Sequence, residues 1–597
     1  MGVKTCMPCH ADKCESFLQT GMGKSFDTAS LFKTSANFKN VIPVYDAYLD
    51  LHYFPYFKSN KMYLIEYRLK GKDTVHKRLE QIIYIIGSGH HTNSHFTQEN
   101  GFTFQAPITF YTQQSKWDLP PGFENGHNTR FSRKIGLECM SCHNAIPTLE
   151  TQSDNQYANL PHGITCERCH GPGQIHVQEK MKGSIIDTSK YADYTIVNPK
   201  RLSWQLQIDI CQRCHLQGNA VLKPNKQFTD FKPGMVLSEI FDQFSPEYTE
   251  GDNFVMAAHA ERFQKSLCFI QTEKGSLNSK NNRVGFTCIS CHNPHVSVRK
   301  TNNIVFNNKC QSCHITSIQK HCTENPKALK IANNDCVKCH MPSSGTADIP
   351  HVSVHDHYIR KPEKNKSTDK VKVIKGLKCI TNKTPDINTS TEAYISYYEK
   401  FSSNKIYLKH AQDSAKKLNV KNIDNLKTLV HLYYVTQSYN QIIELVSRKS
   451  VAFNDAWSNY RVAKAFENIK QYESSKTWYN YTLDLQPRNL DFLLQYGALL
   501  IKNNQDKNAE EVFNKLNSLY GKNAESWAYL GIIYLKQNNY SAAKSNFDKA
   551  LALNPDLLLA LQNSKIMQTT LNNSNLILAL DERIRVIENR EKQKKPN

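Results

Sequence analysis

CERCHGPGQIH, from Cys166 to His176, joins a Cys-x-x-Cys-His motif to a glycine–proline turn and a second histidine six residues past the first. The motif is the signature of covalent c-type haem attachment: two thiols form thioethers with the vinyl groups, and the histidine takes an axial position on iron. The pattern occurs seven times in 597 residues. The copies are Cys6, Cys9 and His10; Cys139, Cys142 and His143; Cys166, Cys169 and His170; Cys211, Cys214 and His215; Cys288, Cys291 and His292; Cys310, Cys313 and His314; and Cys336, Cys339 and His340. Zinc explains them poorly, because it needs four ligands per site and leaves each following histidine without a role.

The motifs absorb 14 of the 18 cysteines and leave Cys14, Cys268, Cys322 and Cys379, either paired or buried as free thiols. The formal charge of +21 would ordinarily point to nucleic acid. Seven haems bring about 14 propionate charges, which leaves about +7, a balance ordinary for a soluble protein, so nucleic-acid binding is not expected. No run of 18 apolar residues predicts a transmembrane helix. Covalent haem attachment predicts a periplasmic or cell-surface location. The first motif starts too early for a leader, so Met1 is read as a processed, recloned or misassigned start, with the export signal not present in this chain.

The pattern of side chains changes along the chain. Residues 1–37 hold the first motif. VYDAYLDLHYF (44–54), MYLIEYRL (62–69), EQIIYII (80–86) and FTFQAPITFYT (102–112) alternate with period two, which predicts a β-rich insertion over 38–115. The remaining six motifs lie in a core over 116–361 of short helices and loops, where haem macrocycles would replace apolar side chains. A lysine-rich linker is expected over 362–389. From 390 to 597 a 34-residue helical repeat takes over. Trp527, Leu530, Gly531, Tyr534, Ala543, Phe547, Ala550 and Pro555 fall at tetratricopeptide positions. Leu493, Gly497, Leu500, Ala509, Phe513 and Leu516 stand one period earlier, and Val462, Ala463, Phe466, Tyr479 and Pro487 two. Degenerate helices upstream and the polar end (Asp581 to Asn597) read as caps. The expected fold is thus multidomain: a haem-packed, mostly irregular cytochrome with a β-rich insertion, followed by an all-α solenoid.

Each iron needs a sixth ligand or an open position, and sixteen further histidines are available. His176 and His295 follow motif histidines too closely to reach the far side of the same haem, so they are expected to ligate neighbours. Of His351, His355 and His357, two are expected to reach back to different haems.

The chain resembles the multihaem cytochrome c family with a C-terminal tetratricopeptide domain, whose haem part is related to the tetrahaem electron carriers of ammonia oxidation. The resemblance rests on TGMGKS (20–25), IGSGHHTNS (86–94), WDLPPGF (117–123), IGLECMSCHN (135–144), GITCERCHGPGQIHV (163–177), CQRCHLQG (211–218), HAERFQKSLC (259–268), TCISCHNPHVSV (287–298) and CHMPSSGTADIPHVSVHDHYI (339–359). It implies distal ligands at His91, His176, His259, His295, His351 and His357, with Met22 standing where related chains have a histidine. His90, His95, His127, His162, His321 and His355 remain alternatives. No Cys-x-x-Cys-Lys appears, so the lysine-ligated haem of pentahaem nitrite reductases is not expected. Two functions follow: an electron carrier with redox partner proteins and a solenoid that docks a protein or peptide, or a reductase or oxidase of a small nitrogen or sulfur compound at one open haem, with His90, His95 or His127 as proton donors.

Overall fold

The computed structural model describes the chain apart from residues 250–253, 277–284, 315–321, 323, 325, 362–372, 448–451 and 593–597. His321, residues 362–372 of the expected linker and the last residues of the C-terminal cap lie outside the described residues.

The β-rich part runs wider than the alternation predicts. Its strands are β1 (Phe26–Thr28), β2 (Val44–Asp46), β3 (Leu51–Lys58), β4 (Lys61–Lys70), β5 (Asp73–Ile82), β6 (Tyr84–Ile86), β7 (Thr92–Glu99), β8 (Phe102–Tyr111), β9 (Lys116–Asp118) and β10 (Arg133–Lys134). They form a four-stranded sheet in the order β2-β3-β4-β5 and a second sheet in the order β1-β6-β7-β8-β10, with β9 also on β8. The inner face of β4 starts apolar, with Met62 and Leu64, and continues into Glu66 and Arg68, all buried. Beside it, β5 turns His76, Arg78, Glu80 and Ile82 inward. One end of the sheet's core is therefore oil and the other end is charge.

The charged end is satisfied in pairs. Glu66 takes a bidentate pair from Arg130, and its Oε1 lies 3.0 Å from His76 Nε2. Burial alone would push the Glu66 carboxyl up, but the adjacent Arg130 charge and the hydrogen bonds from Arg130 and His76 hold it down to about 2. A buried charge persists only when paired and hydrogen-bonded in this way.

The six later Cys-x-x-Cys-His turns lie on short helices and loops between 137 and 340. The segment read as a linker is not wholly one: Ile374–Cys379 is a strand, antiparallel to Phe241–Tyr248. Its Gly376 approaches Tyr394 so closely that a Cβ there would sit 2.9 Å from the phenol oxygen.

From Ile387 the chain folds as six helical hairpins: Ile387–Lys400 with Lys405–Ala415, Ile423–Val435 with Tyr439–Ser447, Ala456–Asn468 with Tyr472–Leu485, Leu490–Lys502 with Asp506–Leu519, Ala524–Lys536 with Tyr540–Leu553, and Leu558–Thr570 with Ser574–Lys592. Side-chain oxygens cap several of the first helices: Asp386, Asn422, Asp455, Asn489 and Asn523 each accept from backbone amides in the following turn. The small residues let the two helices of a hairpin touch. A Cβ on Gly531 would meet the Phe547 ring at 2.5 Å, and one on Gly497 would meet Phe513 at 2.5 Å.

The solenoid rests on its own chain. Its inter-repeat turns face the β-rich part: Leu553 O accepts from Arg78 and Arg130, both at 2.8 Å, and Lys522 reaches Glu80 at 2.6 Å. Asp556 accepts from Arg68 across the boundary and from Arg583 and Arg590 within the last helix. Phe102 and Phe104 pack on Tyr520, and Asn489 donates to Asp154 at 2.8 Å. The charged end of the β4–β5 face is buried by these turns.

Candidate functional site

In each motif the first cysteine, the second and the histidine stand at i, i+3 and i+4. One turn of helix puts those positions on one face, so two thiols and an imidazole address one ligand. Helical turns occur at all seven motifs: within Val3–Leu18, at Leu137–His143, Glu167–His170 and the end of Trp204–Gln212, and at Cys288–Cys291, Asn303–His314 and Cys336–His340. The first helix departs from helical geometry at His10 (φ −130°, ψ 39°), after Pro8. At the third, Gly171 has φ +75°, the left-handed region that glycine enters freely.

The histidines stand in facing pairs that bridge distant segments. His10 faces His176 with ring centroids 6.5 Å apart and planes 19° apart. His170 faces His295 at 5.9 Å and 16°. His292 and His357 lie at 6.2 Å and 30°, His215 meets His259 edge-on at 5.4 Å and 87°, and His259 in turn meets His357 edge-on at 4.5 Å and 74°. Two imidazoles bound to one metal from opposite sides, with bonds near 2.0 Å and about 1.1 Å from nitrogen to ring centre, have centroids about 6 Å apart. Among the described residues no group of three or more His, Cys, Asp and Glu converges as on a bare ion. Paired imidazoles instead suit a metal whose other four positions come from its own macrocycle.

Hydrogen bonds orient several of these rings. His170 Nδ1 lies 2.9 Å from Val197 O, His340 Nδ1 2.9 Å from Arg360 O, and His357 Nδ1 3.0 Å from His355 O. A carbonyl can only accept, so Nδ1 carries the proton and Nε2 keeps its lone pair for a metal. Burial pushes the His357 imidazole down to about 4, which keeps it neutral at neutral pH.

Other expected ligands are placed differently. His351, at φ +60°, has Nε2 3.0 Å from Asp118, so that nitrogen is already engaged. His355 Nδ1 lies 2.8 Å from Met341 O, which leaves its Nε2 available. His91 lies in the turn before β7, with Nδ1 buried and unpartnered among the described residues. Met22 belongs to the turn whose carbonyl accepts from Ile164 and Ser25, and the ring facing His10 is His176. Of the alternatives, His95 is buried in the sheet with Nδ1 3.2 Å from Ile108 O, and His162 pairs with Asp27.

No two cysteines are joined in a disulfide among the described residues. Cys14 is buried, with its thiol against Cys166, and Cys268, Cys322 and Cys379 form no disulfide. The motifs touch in sequence-scrambled order. Cys6 lies against Cys166, Arg168 donates to Ser141 O, and Cys142 Sγ lies 3.7 Å from Arg213 O. Thr287 donates to Gln207 at 3.0 Å, the His292 ring packs on Phe306 at 5.4 Å, and Cys336 N donates to Asn307 at 3.0 Å. The first motif thus meets the third, the third meets the second, the second the fourth, and the fourth to seventh follow in line.

The helical part has recognisable relatives. Residues 524–557 match the tetratricopeptide repeat family. A span of 154 residues is 29% identical to the human protein O-mannosyl-transferase TMTC3, covering 25% of this chain and 16% of that protein. A span of 104 residues is 28% identical to the TPR repeat-containing protein YpiA of Bacillus subtilis (strain 168), covering 17% of this chain and 25% of that protein. The match therefore spans a quarter or less of these curated relatives' length. Similar solved structures include YrrB, "a TPR protein with an unusual peptide-binding site" (18% identity, TM-score 0.26, 29% of this chain and 91% of that one). Another is MamA from Desulfovibrio magneticus RS-1 (18% identity, TM-score 0.25, 29% and 97%). The C-terminal part is a tetratricopeptide-type solenoid, a protein-docking architecture. No helix among the described residues is long and apolar enough to cross a membrane.

Proposed function

We propose that this chain is an extracytoplasmic seven-haem c-type cytochrome that passes electrons between redox proteins and docks a partner through its solenoid. The carrying observation is the pairing of motif histidines with histidines from other segments at axial-ligand separation. Bound haem would supply reversible one-electron chemistry, and the chain would supply the holding and insulation. Cysteines 6, 9, 139, 142, 166, 169, 211, 214, 288, 291, 310, 313, 336 and 339 would make the thioethers. His10, His143, His170, His215, His292, His314 and His340 would be proximal ligands. His176, His295, His259 and His357 would be distal ligands to the first, third, fourth and fifth irons.

The contacts between motifs support a continuous array rather than isolated sites, because each turn is braced by at least one other. Cross-ligation adds to this: His176 belongs to the third motif's segment and faces the first, while His295 belongs to the fifth and faces the third. The region of short helices and loops that carries the motifs then folds around its ligands.

The test is expression in a host that matures c-type cytochromes, followed by a haem count after alkaline pyridine treatment. Seven covalent haems per chain with a low-spin oxidised spectrum is the expected result. No covalent haem would sink the proposal, and a high-spin component that binds cyanide or nitric oxide would move it toward the reductase or oxidase reading.

A further inference from the structure

The first facing pair differs from the others in what stands behind it. His176 Nδ1 lies 3.3 Å from Asp193 Oδ2 and 3.1 Å from Thr195 Oγ1. The Thr195 hydroxyl donates to Asp193 Oδ1, so its own lone pair accepts from the imidazole. The Asp193 carboxylate also takes Lys180 Nζ at 2.8 Å and the Thr195 amide at 3.0 Å. His176 is thus tied to a carboxylate twice, directly and through one hydroxyl. Of the eight histidines in these pairs, it alone makes a hydrogen bond or ion pair to an acidic side chain among the described residues. His170 and His357 donate instead to neutral carbonyls.

A carboxylate behind a ligating imidazole fixes its tautomer and raises its basicity. A more basic ligand stabilises the oxidised, more positive iron over the reduced one. Lys180 works against this by offsetting part of the Asp193 charge.

We propose that Asp193 is a positioning residue that, through His176, sets the haem on His10 to a lower reduction potential than a carbonyl-backed imidazole would give. Lys180 trims that effect. The inference rests on the haem reading above and concerns the potential of one site, not the existence of the array.

The test is a spectroelectrochemical titration of the full haem-loaded chain with Asp193→Asn and, separately, Lys180→Gln. Asp193→Asn is expected to raise one of seven potentials by at least a tenfold change in its equilibrium, which is 59 mV for a one-electron couple. Lys180→Gln is expected to move the same potential the opposite way. In both variants the haem count and the low-spin spectrum stay as in the parent. Unchanged titration curves at full haem count would overturn the proposal. So would a new high-spin signal in Asp193→Asn, which would make Asp193 a structural prop for ligation rather than a tuner. A parent chain without covalent haem would remove the haem reading itself, a failure visible before any variant is made.

Discussion

Asp556→Asn tests what holds the solenoid on the rest of the chain. The carboxylate takes Arg68 at 3.0 and 2.8 Å, Arg583 Nε at 3.0 Å and Arg590 Nη1 at 2.9 Å. The Asp556 side chain is 10% exposed and that of Arg68 7%. Burial pushes the carboxyl up, and the surrounding guanidinium groups overcome this and hold it well below the usual carboxylate range. Removing one partner of a buried pair costs about 3–5 kcal/mol, because the other charge is left uncompensated. Arg583 and Arg590 are 25% and 13% exposed and recover some hydration, so about 3 kcal/mol is expected. That corresponds to an opening equilibrium on the order of a hundredfold larger. The assay is native-state amide exchange of the hairpins from Tyr540 to Lys592, which reports local opening. Asp556→Glu should fall between parent and Asn variant. A change under about threefold in those helices would refute the view that this cluster anchors the domain.

Two further outcomes follow from the described packing. Gly531→Ala should cost about 1–3 kcal/mol, because the new methyl overlaps the Phe547 ring and the hairpin must spread; Gly2→Ala, with nothing within 4 Å, is the control, and equal urea midpoints would contradict the packing account. Acid should weaken the β-rich part through Glu66. Its folded value of about 2 lies below its ordinary 4.5, so the folded state binds fewer protons. The stabilisation, about 3 kcal/mol, is complete above pH 4.5 and is lost as pH falls toward 2. A urea midpoint that stays level from pH 5 to pH 2.5 would contradict this.

The parts legible in the sequence are those with a strong local period. The alternation in MYLIEYRL marks β4, and the 34-residue register from Val462 to Pro555 places three hairpins. The first two hairpins lack the consensus small residues and emerge only as continuations of the stack. The strands at Phe26–Thr28 and Ile374–Cys379 are three and six residues long, the second interrupted by Gly376. Their stability comes from partners far along the chain, which no local pattern records. The docking face was hidden for a different reason. No local pattern marks Glu66, Arg68, His76, Arg78 and Glu80 as buried; they pair with one another, with Arg130 and, for Arg68, with Asp556, and the solenoid turns cover them. At the site, motif spacing identifies one member of each facing pair from a local window. The other member depends on how remote segments meet, so His176 opposite His10 is a property of the fold. His351 likewise meets a distant partner, Asp118, more than two hundred residues away, which no local window records.

The solenoid is fastened near both of its ends. Asn219 donates to Ala393 O at 2.9 Å and to Ser396 at 2.8 Å in the first hairpin, and Asp556 joins Arg68 near the last. A free stack of repeats behaves like a coil spring, each unit yielding to its neighbours in turn. Pinned near its ends and, through Asn489, Tyr520 and Lys522, between them, it becomes a braced arch, whose bend is set by the surface it lies on. A molecule in its groove that widened that bend would pull on the strands that carry Asn219 and Arg68. Mechanical load applied at the partner's end would thus be felt in the region that carries the cysteine–histidine turns.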